Sequence, residues 1–229
     1  MPDVKLIITS DGSHSLLNEA LNETYHSVHG AIQESQHVFI NNGLRYFLES
    51  TTSDNLSIFE VGFGTGLNAL LTLKAMENTK TFVRYVTVES SPIGEELWRS
   101  LNYTKVLGLE DTFANLHRTS WEISNQITPQ VSLIKRQTTL QAIELEAQSF
   151  DVIYFDAFAP SKQPELWTID ILRKVIDAMN LNGVFVTYCA KGQLKRDLKE
   201  LGLAIETLPG PPGKKEMVRA VKLRSVTYC

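Results

Sequence analysis

The chain has 229 residues, 43% of them hydrophobic and 21% charged, with a formal net charge of −4. That length suits one α/β domain, residues 1–229, and the composition is ordinary for a soluble core. No apolar run reaches the roughly 20 residues of a membrane span, and Met1 to Ser10 lacks the basic start and apolar stretch of a signal peptide. Cys189 and Cys229 are too few for a disulfide framework or a metal pair, so a cytoplasmic protein without membrane or metal is expected.

Residues 4–21 read as a hairpin: Lys5-Leu6-Ile7-Ile8-Thr9 is strand-like, Asp11-Gly12 turns, and Ser15-Leu16-Leu17 resumes. Residues 26–49 read as helix, with Ala31, Ile32, Val38, Phe39, Leu44, Phe47 and Leu48 inward. Residues 1–50 thus form a leader to a core at 51–229. The core alternates: strand 57–61, helix 67–77, strand 82–88, a helical region over about 92–126, strand 131–135, helix 139–147, strand 151–155, helix 168–179, strand 184–189 and helix 192–201. Strands 203–207 and 217–223 then flank Pro209-Gly210-Pro211-Pro212-Gly213. Such alternation predicts an α/β fold, a seven-stranded and mostly parallel sheet with helices on both faces. The last two strands, joined without a helix, predict one antiparallel strand.

The opening strand runs into Glu60-Val61-Gly62-Phe63-Gly64-Thr65-Gly66-Leu67. A dinucleotide fingerprint needs a small residue three beyond its second glycine, and Leu67 stands there instead. The alternating glycines, with an acid two residues before Gly62, resemble the first motif of S-adenosylmethionine (SAM) methyltransferases. A turn of this kind offers backbone N–H groups at a helix N-terminus to a carboxylate. Ligands of open α/β sheets lie beyond the C-terminal strand ends, where Glu60, Glu89 and Asp156 are expected. Glu60 can meet an ammonium, directly or through water. Glu89 can accept from two ribose hydroxyls, because a carboxylate has two acceptor oxygens. Capping or solvated-loop acids are the plainer alternative for both.

Asp156-Ala157-Phe158-Ala159-Pro160 follows an apolar strand. An alkylamine, with a pKa like that of lysine at about 10, is protonated near neutrality. Asp156 can take that proton and aim the lone pair, Phe158 can wall a base or adenine, and Pro160 stiffens the loop. A strand-end turn carrying a core Phe is the plainer alternative. From Val184 onward nine Lys/Arg face four Asp/Glu, which suits either a polyanion or a solvated helix face. His14, His26, His29 and His37 crowd the leader without metal-ligand spacing and are expected to cap and pack.

Residues 58–76, 151–168 and 210–220 together resemble the methyltransferase part of the bacterial tRNA modification enzymes of the MnmC type. The likeness is carried by Gly62-Phe63-Gly64-Thr65-Gly66-Leu67-Asn68, by the segment from Asp156-Ala157-Phe158-Ala159-Pro160 to Trp167, and by Gly213-Lys214-Lys215-Glu216-Met217. Asp11-Gly12-Ser13, Tyr25-His26-Ser27, Gly30-Ala31 and Glu34-Ser35 are similar to that family's leader. The resemblance implies a Rossmann-like class I SAM-dependent methyltransferase with an N-terminal hairpin and helix extension. It implies conversion of 5-aminomethyl-(2-thio)uridine to 5-methylaminomethyl-(2-thio)uridine at the wobble position of tRNA.

On that view SAM is held by Glu60, Gly62, Phe63, Gly64, Thr65, Gly66, Asn68, Glu89 and Ser90. Asp156 and Phe158 are the catalytic pair, and Tyr25 and His26 close the active-site mouth. Lys162, Trp167, Lys214, Lys215 and Glu216 lie toward the RNA. Where family members often carry a Gly-Asp pair near the adenine, this chain has Gln137 and Thr138, uncharged hydrogen-bond partners. The flavin-dependent oxidoreductase of two-domain members is absent from the 229 residues, so a separate oxidoreductase is expected to supply the amine. A transferase for a small amine or polyamine, and a SAM-binding module without chemistry, are the alternatives left open.

Overall fold

A computed structural model describes residues 4–223. Arg224 and Cys229, counted above with the basic end and the cysteines, lie outside the described residues. The leader begins with antiparallel strands β1 (Val4–Ile8), β2 (His14–Asn18) and the two-residue β3 (Glu23–Thr24). A continuous helical run follows: α1 (Ala31–Ser35), a π-helical stretch Gln36–Arg45, and α2 (Tyr46–Ser50). Side chains span the wider five-residue repeat, since Asn42 Nδ2 donates to His37 O (2.8 Å) and Gln36 Nε2 to Asn41 Oδ1 (3.0 Å).

The core elements are β4 (Asn55–Val61), α3 (Leu67–Met76), β5 (Phe82–Val88), α4 (Glu95–Ser100), α5 (Tyr103–Leu107), α6 (Glu110–Arg118), β6 (Ser124–Thr128), β7 (Val131–Arg136) and β8 (Phe150–Phe155). They continue with α7 (Ile169–Asp177), β9 (Met179–Thr187), α8 (Gly192–Glu200), β10 (Leu203–Pro209) and β11 (Glu216–Lys222). The main sheet has eight strands in the order β10-β11-β9-β8-β4-β5-β7-β6. Strands β9, β8, β4, β5 and β7 pair in parallel, while β11 and β6 run antiparallel to their neighbours.

The expected seventh-strand reversal at β11 is present, and β6 adds an eighth strand across the end of the region expected to be helical. Pro129 and Gln130 separate β6 from β7 and turn the chain back along the sheet edge. The helix expected at 139–147 is a single turn, in which Ala142 N and Ile143 N donate to Thr139 O, followed by irregular chain. Leu140 and Ile143 are its buried apolar side chains. Gln148 and Ser149 donate instead to carbonyls of Asp177 and Ala178, so docking against the end of α7 overrides local propensity.

Alternation along the buried strands builds two cores. Ile58, Tyr85, Tyr154 and Val186 face the leader helices, α3 and α6. Phe59, Val86, Phe155 and Phe185 face α7 and α8. The chain leaves β4 toward β5 and β7, then returns to β8 on the other side, so the switch in strand order lies between β4 and β8. Crevices for ligands open at such a point. No described helix is long and apolar enough to cross a membrane.

Gly43 seats the π-helical stretch on the sheet: a Cβ there would lie 2.8 Å from Val186 Cγ2 and 3.3 Å from Tyr154 Cε1. Gly43→Leu should therefore lower unfolding free energy by about 1–3 kcal/mol through overpacking. Urea denaturation checks this, and an unchanged midpoint would contradict the packing.

Candidate active site

The turn after β4 needs its glycines. Gly62, Gly64 and Gly66 have φ of +89°, +50° and +74°, left-handed values that side chains with a Cβ resist. A Cβ on Gly62 would meet Asp156 O at 2.8 Å, so the turn and the β8 loop touch through bare backbone. Gly66 is the N-cap of α3.

Thr65 fixes the turn from the other side. Its Oγ1 shares a hydrogen bond with His26 Nε2 (2.8 Å) and accepts one from the Tyr103 hydroxyl (3.2 Å). Its carbonyl accepts from His117 Nε2 (3.1 Å). Burial presses the His26 and His117 pKa values down to about 4 and about 3, so both rings are neutral. Because a carbonyl only accepts, His117 carries its proton on Nε2.

The His117 ring stacks on Trp98 (5.0 Å, 8°) and sits at the end of α6. That end is capped by Lys135, fully buried, whose Nζ donates to Leu116 O (2.8 Å) and His117 O (2.9 Å). Burial pulls the Lys135 pKa down to about 8, and its ammonium also lies 4.8 Å from the Trp121 ring centre.

Beyond the turn lies a cavity of about 1000 Å³. On one side stand Gly62, Phe63, Gly64, Thr65, Asn68, Glu89, Ser90 and Thr138. Glu89 accepts from Gly64 N (3.0 Å) and Ser91 N (2.8 Å), one bond on each oxygen, which leaves lone pairs for a ligand. On the other side stand Asp156, Phe158, Tyr25, Glu34, Tyr188 and Lys214.

Asp156 Oδ2 accepts from Asn68 Nδ2 (2.8 Å). Burial, reinforced by the charge of Glu34, pushes its pKa up to about 7 against the opposing pull of Asn68 and Lys214. Tyr25 meets Phe158 edge-on (5.1 Å, 76°), joining the leader to the loop after β8. Burial, then Glu89, raises the Tyr25 pKa to about 12, so it remains a phenol.

Several residues expected at the site do not line the cavity. Glu60 is fully buried beneath the cavity wall, and neither of its oxygens has a hydrogen-bond partner. Burial first, and the nearby Asp156 charge, push its pKa up to about 8, with Thr87, Asn68 and Tyr85 acting in the opposite direction. Gln137 is exposed, its backbone N–H donates to Glu122 Oε1 (2.7 Å), and of the Gln137-Thr138 pair only Thr138 lines the cavity.

Trp167 is not a surface platform. It is 8% exposed, packs on Phe155 (4.8 Å) and donates Nε1–H to Phe158 O (2.8 Å). Lys162 lies outside the cavity, its amide donating to Ala159 O. Lys215 and Glu216 line a side groove that shares Ala159, Tyr188 and Lys214 with the main cavity. Glu216 pairs with Lys195 (2.8 Å). Among the described residues no group of three or more His, Cys, Asp or Glu is placed to hold a metal. His14 contacts Ser100 O and His37 donates to Pro209 O.

Sequence reasoning missed Glu34, Tyr188, Tyr103, His117 and Lys135 as parts of the site and its support. A lysine within the alternating strand Val131–Arg136 is the one local signal, since an inward lysine must find acceptors.

Comparison with known proteins fits this arrangement. A family model described as S-adenosyl-L-methionine-dependent methyltransferase matches residues 109–223. The chain is 32% identical, over 241 aligned residues, to the tRNA 5-methylaminomethyl-2-thiouridine biosynthesis bifunctional protein MnmC of Burkholderia multivorans. That match takes in 95% of this chain and 35% of the relative. The protein of the same name from Cupriavidus metallidurans is 29% identical over 230 residues, 93% of this chain and 33% of the relative. The chain thus spans about a third of the length of these curated relatives. The crystal structure of MnmC2 from Aquifex aeolicus superposes with a TM-score of 0.79 at 26% identity, covering 96% of this chain and 70% of that one. With half of its length matched by the family model and its glycine turn opening on that cavity, the chain belongs to the S-adenosyl-L-methionine-dependent methyltransferases.

Proposed function

We propose that this chain transfers a methyl group from SAM to the aminomethyl nitrogen of 5-aminomethyl-(2-thio)uridine at the wobble position of tRNA, giving the 5-methylaminomethyl nucleoside. One observation carries the reading: a half-buried Asp156, with a pKa of about 7, shares a cavity with a glycine turn and Glu89. The names of the relatives supply the substrate class. The side groove beside the cavity carries Lys191 and Lys215, which suit a polyanion. The amine itself requires a separate oxidoreductase activity, and a tRNA substrate implies a cytoplasmic setting.

SAM fits the residues present. When bound it supplies an electrophilic methyl group. Glu89 has lone pairs free for hydroxyls, the turn leaves no Cβ in the way, and Glu60 is an orphaned carboxyl suited to an ammonium behind the turn. Asp156 Oδ takes one proton from the substrate ammonium and so leaves the nitrogen lone pair free for the methyl group that bound SAM would supply. Asn68 holds that carboxylate in one orientation, and Trp167 fixes the loop through Phe158 O.

The pH dependence follows from the direction of the shift. Asp156 is a base above about pH 7, so kcat/KM should fall tenfold per unit below that value. It should stay level up to the amine's own pKa of about 10. Asp156→Asn should lose roughly 10²–10⁴-fold in kcat with SAM still bound. The assay is transfer of labelled methyl to tRNA carrying the aminomethyl nucleoside, read by nucleoside mass spectrometry. Absence of the methylated nucleoside, or methylation of polyamines in preference to tRNA, would sink the proposal.

Glu60 allows a second test. Its folded pKa of about 8 lies above its ordinary 4.5, so its contribution to stability is full below pH 4.5 and is lost as pH rises toward 8. Glu60→Gln should therefore match the wild type in stability at pH 4 and exceed it by about 1 kcal/mol or more at pH 8, while binding SAM more weakly. Urea titrations across that range check it, and a stability difference independent of pH would remove Glu60 as a titrating group.

A further inference from the structure

We propose that Lys214, clasped by Glu34, donates a hydrogen bond to the ring carbonyl next to the reacting aminomethyl arm and so selects uracil over cytosine. The inference rests on the uridine reading above and assigns base selection to a pair of side chains 180 residues apart.

The pair is built rather than incidental. The Glu34 side chain is only 5% exposed; its Oε1 accepts from Lys214 Nζ (2.5 Å) and its Oε2 from Ser27 N (2.7 Å). Lys214 Nζ lies 3.7 Å from the centre of the Tyr188 ring. The Tyr188 hydroxyl in turn donates to Ala157 O (2.8 Å), the residue after Asp156. An ammonium has three N–H donors. The carboxylate engages one and the ring face another, leaving one for the cavity that Lys214 and Asp156 both line.

The loop carrying Lys214 is seated in advance. Lys214 N donates to Pro211 O and Gly210 N to Lys215 O. His37 Nε2 holds Pro209 O at 2.8 Å. Gly213, at φ +83°, lies so close to the leader that a Cβ would meet the His29 ring at 1.9 Å. Little ordering remains to be done when a base enters, and a preorganised donor discriminates best.

The chemistry of the acceptor supplies the rest. On a pyrimidine bearing an aminomethyl group at C5, the ring positions flanking the arm are C4 and C6–H. In uracil C4 carries a carbonyl, an acceptor. In cytosine it carries an amino group, which offers only donors to an ammonium. The C4 substituent is the polar ring group next to the reacting arm, and Lys214 lines the same cavity as Asp156, where the reacting nitrogen is held. Glu34 has a further effect: a lone Lys214 charge would repel an incoming substrate ammonium, and the buried carboxylate neutralises it.

The test compares anticodon stem-loop RNAs carrying either 5-aminomethyluridine or 5-aminomethylcytidine at the same position, measured by kcat/KM. Wild type should favour uridine by about 100-fold or more, since a site built to bond a group rejects the analogue without it. Lys214→Met should bring the ratio near unity and move the Asp156 limb of the pH profile upward, because a positive charge has been removed. Glu34→Gln should shrink the preference and move the same limb downward. Lys214→Arg restores a donor and should recover at least a tenfold preference, which a merely structural role for the lysine would not require. An unchanged ratio in Lys214→Met, or equal use of both RNAs by wild type, overturns the inference while leaving the methyltransferase reading intact. Methylation of neither RNA by wild type would instead overturn the uridine reading on which it rests.

Discussion

Everything at the site depends on how the glycine turn is held. Its glycines occupy left-handed backbone, which costs them no steric strain but leaves the turn many alternative shapes, so its surroundings must fix one. Thr65 supplies that constraint. One hydroxyl and one carbonyl receive side chains from the leader, α5 and α6, and all three partners are largely shut off from water. Buried hydrogen bonds that are fully satisfied rigidify their surroundings, and losing one leaves an orphaned polar group. The same logic runs one layer deeper. Lys135 can be tolerated inside because two helix-end carbonyls and two ring faces receive its ammonium, and it thereby fixes the residue that holds the turn.

The second constraint is electrostatic. Glu60 and Asp156 lie on either side of Asn68, and burial raises the proton affinity of both. Asn68 Nδ2 serves Asp156 while its Oδ1 is unpaired, and a protonated Glu60 carries the hydroxyl that Oδ1 lacks. Two ionised carboxylates on either side of one residue would repel, and protonation of one relieves that. Such an arrangement gives up stability above the carboxyl pKa values in return for sites that welcome cations. The methyl donor carries an ammonium and a sulfonium, and the proposed acceptor arrives as an ammonium, so the cost and the task match in sign.

Much of the donor half was legible in the sequence because it is local. Alternating glycines, an acid at the end of each of two neighbouring strands, and a strand-to-helix junction all fall within residues 58–90 and follow from strand and turn chemistry. The α/β alternation was legible for the same reason. What failed was set by long-range packing. The segment 139–147 has helix-forming residues, yet the Gln141 carbonyl is taken by Lys174 of α7, and Gln148 and Ser149 just beyond it donate to the end of that helix. Strand β6 has little apolar alternation and exists because Pro129 turns it onto the edge of β7. A role for Gln137 depends on where one loop residue comes to lie, and its backbone, tied to Glu122, leaves it exposed and off the cavity wall. Trp167, suited by type to stacking on a base, is instead consumed in buttressing the loop of Asp156 and Phe158.

The acceptor half could not be read in this way because it is assembled from distant pieces. Tyr25 and Glu34 come from the leader, Asp156 and Phe158 from the loop after β8, Tyr188 from the end of β9, and Lys214 from the hairpin between β10 and β11. No spacing rule links residue 34 to residue 214; only the closed fold brings their charges together. That division has a physical rationale. Binding a common donor requires a conserved kind of turn, which one supersecondary unit can supply. Choosing an acceptor requires a particular distribution of charge and shape, which decorations at both ends of the chain can alter without disturbing the turn. The leader serves both halves at once: His26 steadies Thr65, while eight residues later Glu34 sets the charge facing Asp156. Any change that loosens its helical run from the sheet must therefore weaken donor binding and acceptor choice together, although no residue of that run beyond Glu34 lines the cavity.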